Sequence, residues 1–299
     1  MENINQNSAK AWVLAARPKT LTGAAVPVMM ALSLAYTDGA SVFNYFSATL
    51  CMLFAFIMQI DANFINDYFD FKKGNDDETR LGPERACSMG WVTPGAMKIA
   101  IAFTTILACI VGLPLIFYGG LEMIVIGILC VIFCFLYTTH LSYRGLGYVL
   151  VLVFFGIVPV CITYYIQMHN ITSEVFVASL CCGIVIDTLL IVNNFRDIDN
   201  DRRNGKYTLI VKMGKRNGLL FYLAAGVVPF FMGLTFMFEG RILAFALPII
   251  YLQLHLVTFR KMKRIGQGRA LNNVLGDTAR NMFMYGLLFS IGCLLDYFL

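Results

Sequence analysis

The chain has 299 residues, of which 59% are hydrophobic and 14% charged, and its formal net charge is +5 at pH 7. Soluble domains average about 45–50% apolar and about 25% charged residues, so this composition excludes an ordinary soluble protein and indicates a lipid bilayer. The basic residues lie mainly between apolar stretches, where they set topology and contact anionic headgroups. The positive charge therefore does not indicate a nucleic-acid partner, and we expect none.

Nine apolar stretches along the chain approach the length of a membrane span, which is about 20 residues. They predict helices over roughly 20–36, 45–65, 98–118, 121–139, 147–168, 174–194, 219–237, 241–258 and 279–298. Only Gly119 and Gly120 separate the third helix from the fourth, so a tight turn is expected there. The fold class predicted from sequence is an all-α, polytopic membrane protein with about nine transmembrane helices.

The distribution of lysine and arginine predicts the orientation of these helices. With nine spans, 22 of the 23 basic residues fall on one side of the membrane, and only Arg241 falls on the other. Basic residues are enriched in cytoplasmic loops, so we expect a cytoplasmic N-terminus and an external C-terminus.

Two acidic segments follow predicted helices on the cytoplasmic side: residues 63–70, NFINDYFD, and residues 193–201, NNFRDIDND. Carboxylates are costly at a membrane boundary, and two such clusters therefore predict a bound cation. Oxygen ligands select a hard ion, and a site shared with phosphate usually holds Mg²⁺. With lysine and arginine nearby, the segments predict a Mg²⁺–diphosphate site that faces the cytoplasm and opens into lipid.

The two segments share a spacing that indicates internal duplication. Asn66 and Asp70 are four residues apart, as are Asp197 and Asp201, and this spacing places two side chains on one face of a helix. Each pair ends an even-numbered predicted helix. We interpret residues 1–299 as one transmembrane domain of two pseudo-repeats, about 11–139 and 147–299, with the site between the halves.

Simpler interpretations apply to several of these residues. Arg17 is either a headgroup anchor or a ligand, and Lys206 either a topology charge or a phosphate contact. Asp61 and Asp187 lie inside predicted helices, where a carboxylate is a functional candidate unless a neighbouring polar side chain satisfies it. A cation-coupled transporter would also contain repeats and membrane carboxylates, although acidic motifs at helix ends beside basic residues suit a diphosphate better.

These patterns resemble the UbiA superfamily of intramembrane prenyltransferases. The resemblance is carried by Asn66-Asp67-x-x-Asp70 and by Asn193-Asn194-x-Arg196-Asp197-x-x-x-Asp201 followed by Gly205-Lys206. The stretches 16–21, 82–86, 141–147 and 271–276 favour the branch that prenylates 1,4-dihydroxy-2-naphthoate over the 4-hydroxybenzoate branch. Many members carry a third acidic residue where this chain has Gly74; here the acidic residue is Asp76, two positions later.

The resemblance implies a fold of nine helices around a central cavity with a lateral opening to lipid. It implies Mg²⁺ as cofactor, with metal ligands Asn66, Asp70, Asp197 and Asp201 and secondary candidates Asp67 and Asp76. It implies that six residues contact the diphosphate or the acceptor: Arg17, Lys73, Arg144, Asn193, Arg196 and Lys206. It assigns catalysis to Asp70, Asp197, Asp201 and Lys206.

The reaction implied by the resemblance is Mg²⁺-dependent transfer of a polyprenyl group from polyprenyl diphosphate to 1,4-dihydroxy-2-naphthoate, with decarboxylation, giving demethylmenaquinone. The enzyme would lie in the cell inner membrane, in contact with membrane lipid, with its active site facing the cytoplasm. The acceptor alternatives are homogentisate and 4-hydroxybenzoate. Either Asp187 or Asp61 is a candidate base for the acceptor.

Overall fold

The computed structural model describes residues 4–74, 80–141 and 145–299. Within these ranges the chain is helical and contains no strand. The helices are α1 (Ala9–Ala16), α2 (Leu21–Gly39), α3 (Tyr45–Lys72), α4 (Pro94–Gly119), α5 (Glu122–Leu136), α6 (Gly147–Met168), α7 (Ser173–Arg196), α8 (Ile198–Arg203), α9 (Leu209–Phe238), α10 (Ile242–Ile265) and α11 (Leu271–Phe298).

The nine predicted spans correspond to helices of this structure. Among the described residues, eight stretches are long and apolar enough to cross a membrane, with α1 and α2 together forming the first, and α5 is a shorter apolar helix of 15 residues. A π-helical turn, Tyr137–Leu141, continues α5 toward the spanning length of about 20 residues. Gly120 has a φ of +83° and separates α4 from α5, as the glycine pair predicts. The prediction of an all-α polytopic fold is therefore confirmed.

The first helix of the structure ends at a strained residue. Ser8 caps α1 by accepting a hydrogen bond from the amide of Ala11, and Arg17 then adopts a left-handed φ of +51°. Left-handed backbone is uncommon for residues other than glycine, asparagine and aspartate, and Pro18 further restricts the residue before it. This break separates α1 from α2 and holds Arg17 at the junction.

Close contacts between helices rely on glycine, as is usual in membrane bundles. A Cβ atom on Gly286 of α11 would lie 2.6 Å from Cγ1 of Val26 in α2, so the first and last membrane helices pack directly against each other. Between α6 and α7, a Cβ atom on Gly156 would lie 2.6 Å from the carbonyl oxygen of Ser179. Larger residues at these positions would force the helices apart.

An ion-pair cluster joins the helices at the end of the bundle opposite the acidic segments. Arg241, between α9 and α10, donates to Thr37 at 2.6 Å and to Asp38, and its Nε lies 2.6 Å from Oε1 of Glu174. Tyr164 donates to the second oxygen of Asp38 at 2.6 Å. The cluster therefore ties together the ends of α2, α6, α7 and α10.

Candidate active site

The first acidic segment occupies the last two turns of α3. Asn66 accepts a hydrogen bond from the hydroxyl of Thr138 in the π-helical turn after α5, and Nζ of Lys73 lies 3.4 Å from the carbonyl oxygen of Thr138. Asp70, one turn after Asn66, forms an ion pair with Arg85, with Nη2 and Oδ2 2.8 Å apart. π-Helical turns occur often at functional sites. Here the turn orients an amide and an ammonium group of the first motif.

Asp67 differs from its neighbours because its carboxylate is fully buried. Its two oxygens accept hydrogen bonds from the backbone amides of Ala86 and Cys87, each at 2.9 Å, and Nη2 of Arg17 lies 3.6 Å from Oδ2. Hydrogen bonds to a charged acceptor are stronger than neutral ones. Asp67 therefore anchors the loop that follows α3, and it holds Arg17 beside the first motif.

The second acidic segment crosses a helix break. α7 ends at Arg196, Asp197 has non-helical backbone angles, and α8 begins at Ile198. Asp197 and Asp201 nevertheless remain one turn apart, since the amide of Asp201 donates to the carbonyl of Asp197 at 2.7 Å. The four-residue spacing is thus the same in both pairs, but Asn66 and Asp70 lie on a continuous helix, whereas Asp197 and Asp201 lie across a helix break.

Arg196 holds Asp197 through two parallel hydrogen bonds. Its Nε donates to Oδ1 at 2.8 Å and its Nη2 to Oδ2 at 2.6 Å, which is the bidentate geometry that guanidinium and carboxylate groups favour. The side chain of Arg196 is almost fully buried, whereas that of Asp197 is partly exposed. The carboxylate is therefore oriented by a fixed cation on one side and remains accessible on the other.

Asp201 is buried, with 8% of its surface exposed, beside Lys206, whose Nζ lies 3.7 Å from Oδ1. The other oxygen, Oδ2, is buried and accepts no hydrogen bond from the described part of the chain. Burial raises the pKa of Asp201 to about 6, although the positive charge of Lys206 opposes the shift. A buried carboxylate oxygen without a partner is costly, and its chemistry fits a hard cation such as Mg²⁺.

A small cavity of about 20 Å³ adjoins this second motif and is lined in part by Lys206, Thr208, Asn194 and Tyr148. The amide of Asn194 donates to the hydroxyl of Tyr148 at 2.9 Å within the bundle. Asn193, predicted to bind substrate, is half-buried in the last turn of α7, where its carbonyl accepts the amide of Asp197 at 3.0 Å. The cavity has room for about one water molecule.

Residues 80–87 run across the site and contact both motifs; we name this segment the strap. At one end Asn272 donates to the carbonyl of Leu81 at 2.8 Å. At the other end the strap supplies Arg85 to Asp70 and its last two amides to Asp67. The strap therefore connects the acidic segment of one half of the chain to that of the other.

The two deep carboxylates have different surroundings. Both oxygens of Asp61, in α3, accept hydroxyl hydrogen bonds, from Thr104 at 2.5 Å and from Thr105 at 2.8 Å. Asp187, in α7, is also buried, but its Oδ1 has no hydrogen-bond partner among the described residues. It lies seven residues before Asn194, two turns along the same helix face. Of these two carboxylates, Asp187 is therefore the one with an oxygen that can still accept a hydrogen bond.

The structure places Asn66, Asp67, Asp70 and Lys73 around the end of α3, and Arg196, Asp197, Asp201 and Lys206 around the end of α7. Two predicted site residues, Asp76 and Arg144, lie outside the described residues. Among the described residues, no group of three or more histidine, cysteine or acidic side chains could hold a metal ion. The predicted metal ligands are therefore split between two places, which the strap links.

Three site residues received no role from the sequence: Arg85, Thr138 and Asn272. Arg85 and Asn272 lie in stretches 82–86 and 271–276, which carry part of the family resemblance, and this was the signal that could have identified them. Thr138 lies in an apolar helix end with no local motif. Each acts through a partner distant in sequence, so spacing alone could not reveal its contact.

Comparisons with known proteins identify the family of the chain. The model of the UbiA prenyltransferase family matches residues 24–287. The 1,4-dihydroxy-2-naphthoate octaprenyltransferase of Escherichia coli (strain K12) is 32% identical over 305 residues, which cover 96% of each protein.

Two solved structures share the fold. The apo structure of a UbiA homolog from Aeropyrum pernix K1 has a TM-score of 0.70 and 12% identity, covering 92% of this chain and 97% of the other. A UbiA homolog from Archaeoglobus fulgidus bound to GPP and Mg²⁺ has a TM-score of 0.64 and 11% identity, covering 94% and 99%. The family match spans most of the chain, and the chain therefore belongs to the UbiA prenyltransferase family, as a membrane-embedded aromatic prenyltransferase.

Proposed function

We propose that the protein transfers a polyprenyl group from polyprenyl diphosphate to 1,4-dihydroxy-2-naphthoate, with loss of the ring carboxylate as CO₂. The observation that carries the proposal is the charge arrangement of the site. Four carboxylates, Asp67, Asp70, Asp197 and Asp201, each lie beside a basic side chain. A site in which acidic and basic side chains balance suits a ligand that carries both negative and positive charge, such as diphosphate with Mg²⁺. The choice of acceptor is supported by the similarity to the 1,4-dihydroxy-2-naphthoate octaprenyltransferase of Escherichia coli.

We assign the metal ligands to Asn66, Asp70, Asp197 and Asp201, all of which supply oxygen. Oδ2 of Asp201 is the best fit among them, since it is buried and no described residue donates a hydrogen bond to it. Bound Mg²⁺ would neutralise negative charge on the departing diphosphate. Asp67 takes a supporting role because backbone amides occupy both of its oxygens. The role of Asp76 stays a prediction.

The basic residues bind and orient the diphosphate. Arg17 and Lys73 approach from the first half of the chain, and Arg196 and Lys206 from the second. Arg196 is fixed by Asp197 and acts mainly by orienting that carboxylate, whereas Lys206 is partly exposed and within reach of a phosphate oxygen. Preorganised cations stabilise the charge that develops as the bond between prenyl carbon and diphosphate oxygen breaks. Arg144 is assigned here by resemblance alone.

The chain must also protect and direct the reactive prenyl fragment. When the diphosphate leaves with the bonding electrons, the allylic fragment becomes a carbocation, and an apolar surround excludes water from it. The electron-rich ring of the acceptor then attacks, held close enough that the step is effectively unimolecular. We assign Asp187 as the base for the acceptor hydroxyl, because Asp61 already accepts two hydrogen bonds. Loss of CO₂ gives the demethylmenaquinone skeleton in its hydroquinone form, so no oxidant is needed.

The multi-pass membrane location is shown by the helices and the family; the orientation is part of the proposal. We place the N-terminus, both acidic motifs and the strap in the cytoplasm, the C-terminus outside, and the protein in the inner membrane. The asymmetry of basic residues supports this orientation. We also treat residues 1–299 as one domain of two pseudo-repeats, since the site lies between the ends of α3 and α7.

The test is a turnover assay on purified full-length protein in detergent. Polyprenyl diphosphate, 1,4-dihydroxy-2-naphthoate and Mg²⁺ are supplied, and prenylated naphthohydroquinone, CO₂ and pyrophosphate are measured, with EDTA as the control. Mg²⁺-dependent product with release of CO₂ supports the proposal. Product only with homogentisate or 4-hydroxybenzoate keeps the reaction class and rejects the acceptor. Folded protein that turns over none of the three acceptors contradicts the proposal.

A further inference from the structure

The side chain of Asn272, at the start of the last helix, joins two parts of the site. Its Nδ2 donates to the carbonyl of Leu81 in the strap at 2.8 Å, and its Oδ1 accepts from Nη1 of Arg196 at 2.7 Å. These partners are 191 and 76 residues away in sequence. An amide is suited to this position because it carries a donor and an acceptor on one short side chain.

With this contact, each nitrogen of the Arg196 guanidinium has a defined partner. Nε and Nη2 bind the carboxylate of Asp197, and Nη1 binds Asn272. A planar group held at three points cannot rotate without breaking a charge-assisted hydrogen bond. The plane of the Asp197 carboxylate is therefore set by Arg196, and the plane of Arg196 is set in turn by Asn272.

The strap passes directly over the same guanidinium. A Cβ atom on Gly82 would lie 2.9 Å from Nη2 of Arg196 and 3.3 Å from Cζ. Glycine therefore permits a close approach of backbone to cation that a larger residue would prevent. Near Asn272, Arg269 also reaches the strap, with Nη2 3.3 Å from the carbonyl oxygen of Arg80.

We propose that Asn272 is a positioning residue for the metal–diphosphate site, acting through Arg196 on Asp197 and through Leu81 on the strap. This inference rests on the proposed function, because it assumes that Asp197 binds the metal. Partners that orient a ligating carboxylate affect metal affinity without touching the metal. Loss of Asn272 should leave Asp197 present but misoriented, and should remove one of the contacts that hold the strap to the second half of the chain.

The test is calorimetric titration of Mg²⁺ with inorganic pyrophosphate into full-length protein in nanodiscs. Asn272→Ala and Asn272→Asp should both weaken binding roughly 10- to 100-fold, the range for loss of an orienting partner. Aspartate keeps an acceptor for Arg196 but cannot donate to the carbonyl of Leu81. The loss of affinity in Asn272→Asp therefore measures the contribution of the strap contact. Asn272→Gln keeps both functional groups and should recover part of the affinity. Asn273→Ala, on the exposed next residue, is the matched control and should bind as wild type does.

Steady-state kinetics and a substitution at a second residue, Gly82, complete the test. The KM for polyprenyl diphosphate should rise in the Asn272 variants, whereas the KM for the aromatic acceptor should stay unchanged; a general loss of folding would not produce this split. Gly82→Ala perturbs Arg196 from the strap side and should reproduce the binding defect even if Asn272→Ala does not fold. Folded variants at both positions that bind like wild type would overturn the inference alone. Wild-type protein that binds no Mg²⁺–pyrophosphate would overturn the proposed function, and this inference with it.

Discussion

Nη2 of Arg85 lies 2.8 Å from Oδ2 of Asp70, so a cation from the strap is paired with the last carboxylate of the first motif. Both side chains are mostly buried, and the pair therefore experiences less solvent screening than a surface ion pair. Its position connects the conformation of the strap to the charge at the proposed metal site.

We predict that Asp70→Asn lowers kcat/KM by roughly 10²- to 10³-fold, the usual cost of removing one preorganised electrostatic contact. Asparagine keeps the shape of the side chain and an oxygen that can accept from Arg85, so insertion into the membrane should be unchanged and the thermal midpoint should fall modestly. The turnover assay and fluorescence-detected thermal unfolding measure the two properties. Asp199→Asn is the control, because Asp199 is largely exposed and pairs with Lys215 at 3.5 Å. Normal turnover by Asp70→Asn would exclude the metal assignment.

Substitution of Asp67 should lower stability, in contrast to substitution of Asp70, which should mainly lower turnover. Asp67→Ala leaves two backbone amides of the strap without their acceptor, and we expect the free energy of unfolding to fall by about 2–4 kcal/mol. A loss of thermal stability should thus accompany any loss of turnover. Mg²⁺ dependence, measured as the metal concentration at half-maximal rate, should stay near that of wild type in the isosteric Asp67→Asn. A large shift in that concentration would show that Asp67 contacts the metal.

The burial of Asp201 predicts a dependence of stability on pH. Its pKa is about 6 in the folded protein, against about 3.9 in an unfolded chain, so the folded state binds more protons between these values. Stability should therefore fall as the pH rises from 4 to 6, by an amount on the order of 2–3 kcal/mol, and level off above. Thermal midpoints in EDTA would measure this trend.

Asp201→Asn removes the titrating group and should flatten that dependence in EDTA. At pH 7.5, Mg²⁺ with pyrophosphate should raise the thermal midpoint of wild type but not that of the variant. Equal pH profiles for the two proteins would place the titration on another group.

Substitutions of the two deep carboxylates, Asp187 and Asp61, should have different effects on kcat. Asp187→Asn removes the base assigned to the acceptor and should lower kcat by about 10²- to 10⁴-fold, the usual contribution of general base catalysis. The KM for polyprenyl diphosphate should be unaffected. Asp61→Asn, which keeps a hydrogen-bonding amide between Thr104 and Thr105, is the comparison and should retain turnover. The assignment is wrong if Asp61→Asn is the more damaged variant.

Gly226 in α9 faces the imidazole of His255 in α10, and a Cβ atom there would lie 2.1 Å from Nε2. Gly226→Ala should therefore destabilise the bundle by about 1–3 kcal/mol through overpacking. Adding His255→Ala removes the clash, so the double variant should cost less than the sum of the two single ones. Additive losses in thermal unfolding would show that the two residues do not interact.

The helical architecture could be predicted from sequence because membrane spans leave a strong local signal. Apolar length located all nine stretches, and Gly119-Gly120 located the turn between two of them. The acidic motifs could be recognised for the same reason, since Asn66 with Asp70 and Asp197 with Asp201 share a short spacing. That spacing could not show that α7 ends at Arg196, because Asp197 and Asp201 remain one turn apart across the break, as they would on a continuous helix.

The long-range part of the site could not be predicted. The contact of Leu81 with Asn272 joins a loop without periodicity to a residue 191 positions away. Asp67 and Asp70 look alike in the sequence, yet one is saturated by backbone amides and the other is paired with Arg85. Local pattern identifies a carboxylate; which partners surround it depends on how loops fold across the bundle.

The setting of Arg241 bears on how the chain inserts into the membrane. This arginine is the exception to the asymmetry of basic residues, but Asp38 and Glu174 pair with it inside the bundle. Once the helices assemble, its charge is neutralised by the protein and is not presented to lipid headgroups on that side. In the proposed orientation, flipping the completed bundle would forfeit the headgroup contacts of the basic residues on the cytoplasmic side and would gain none from Arg241, so assembly would oppose reorientation.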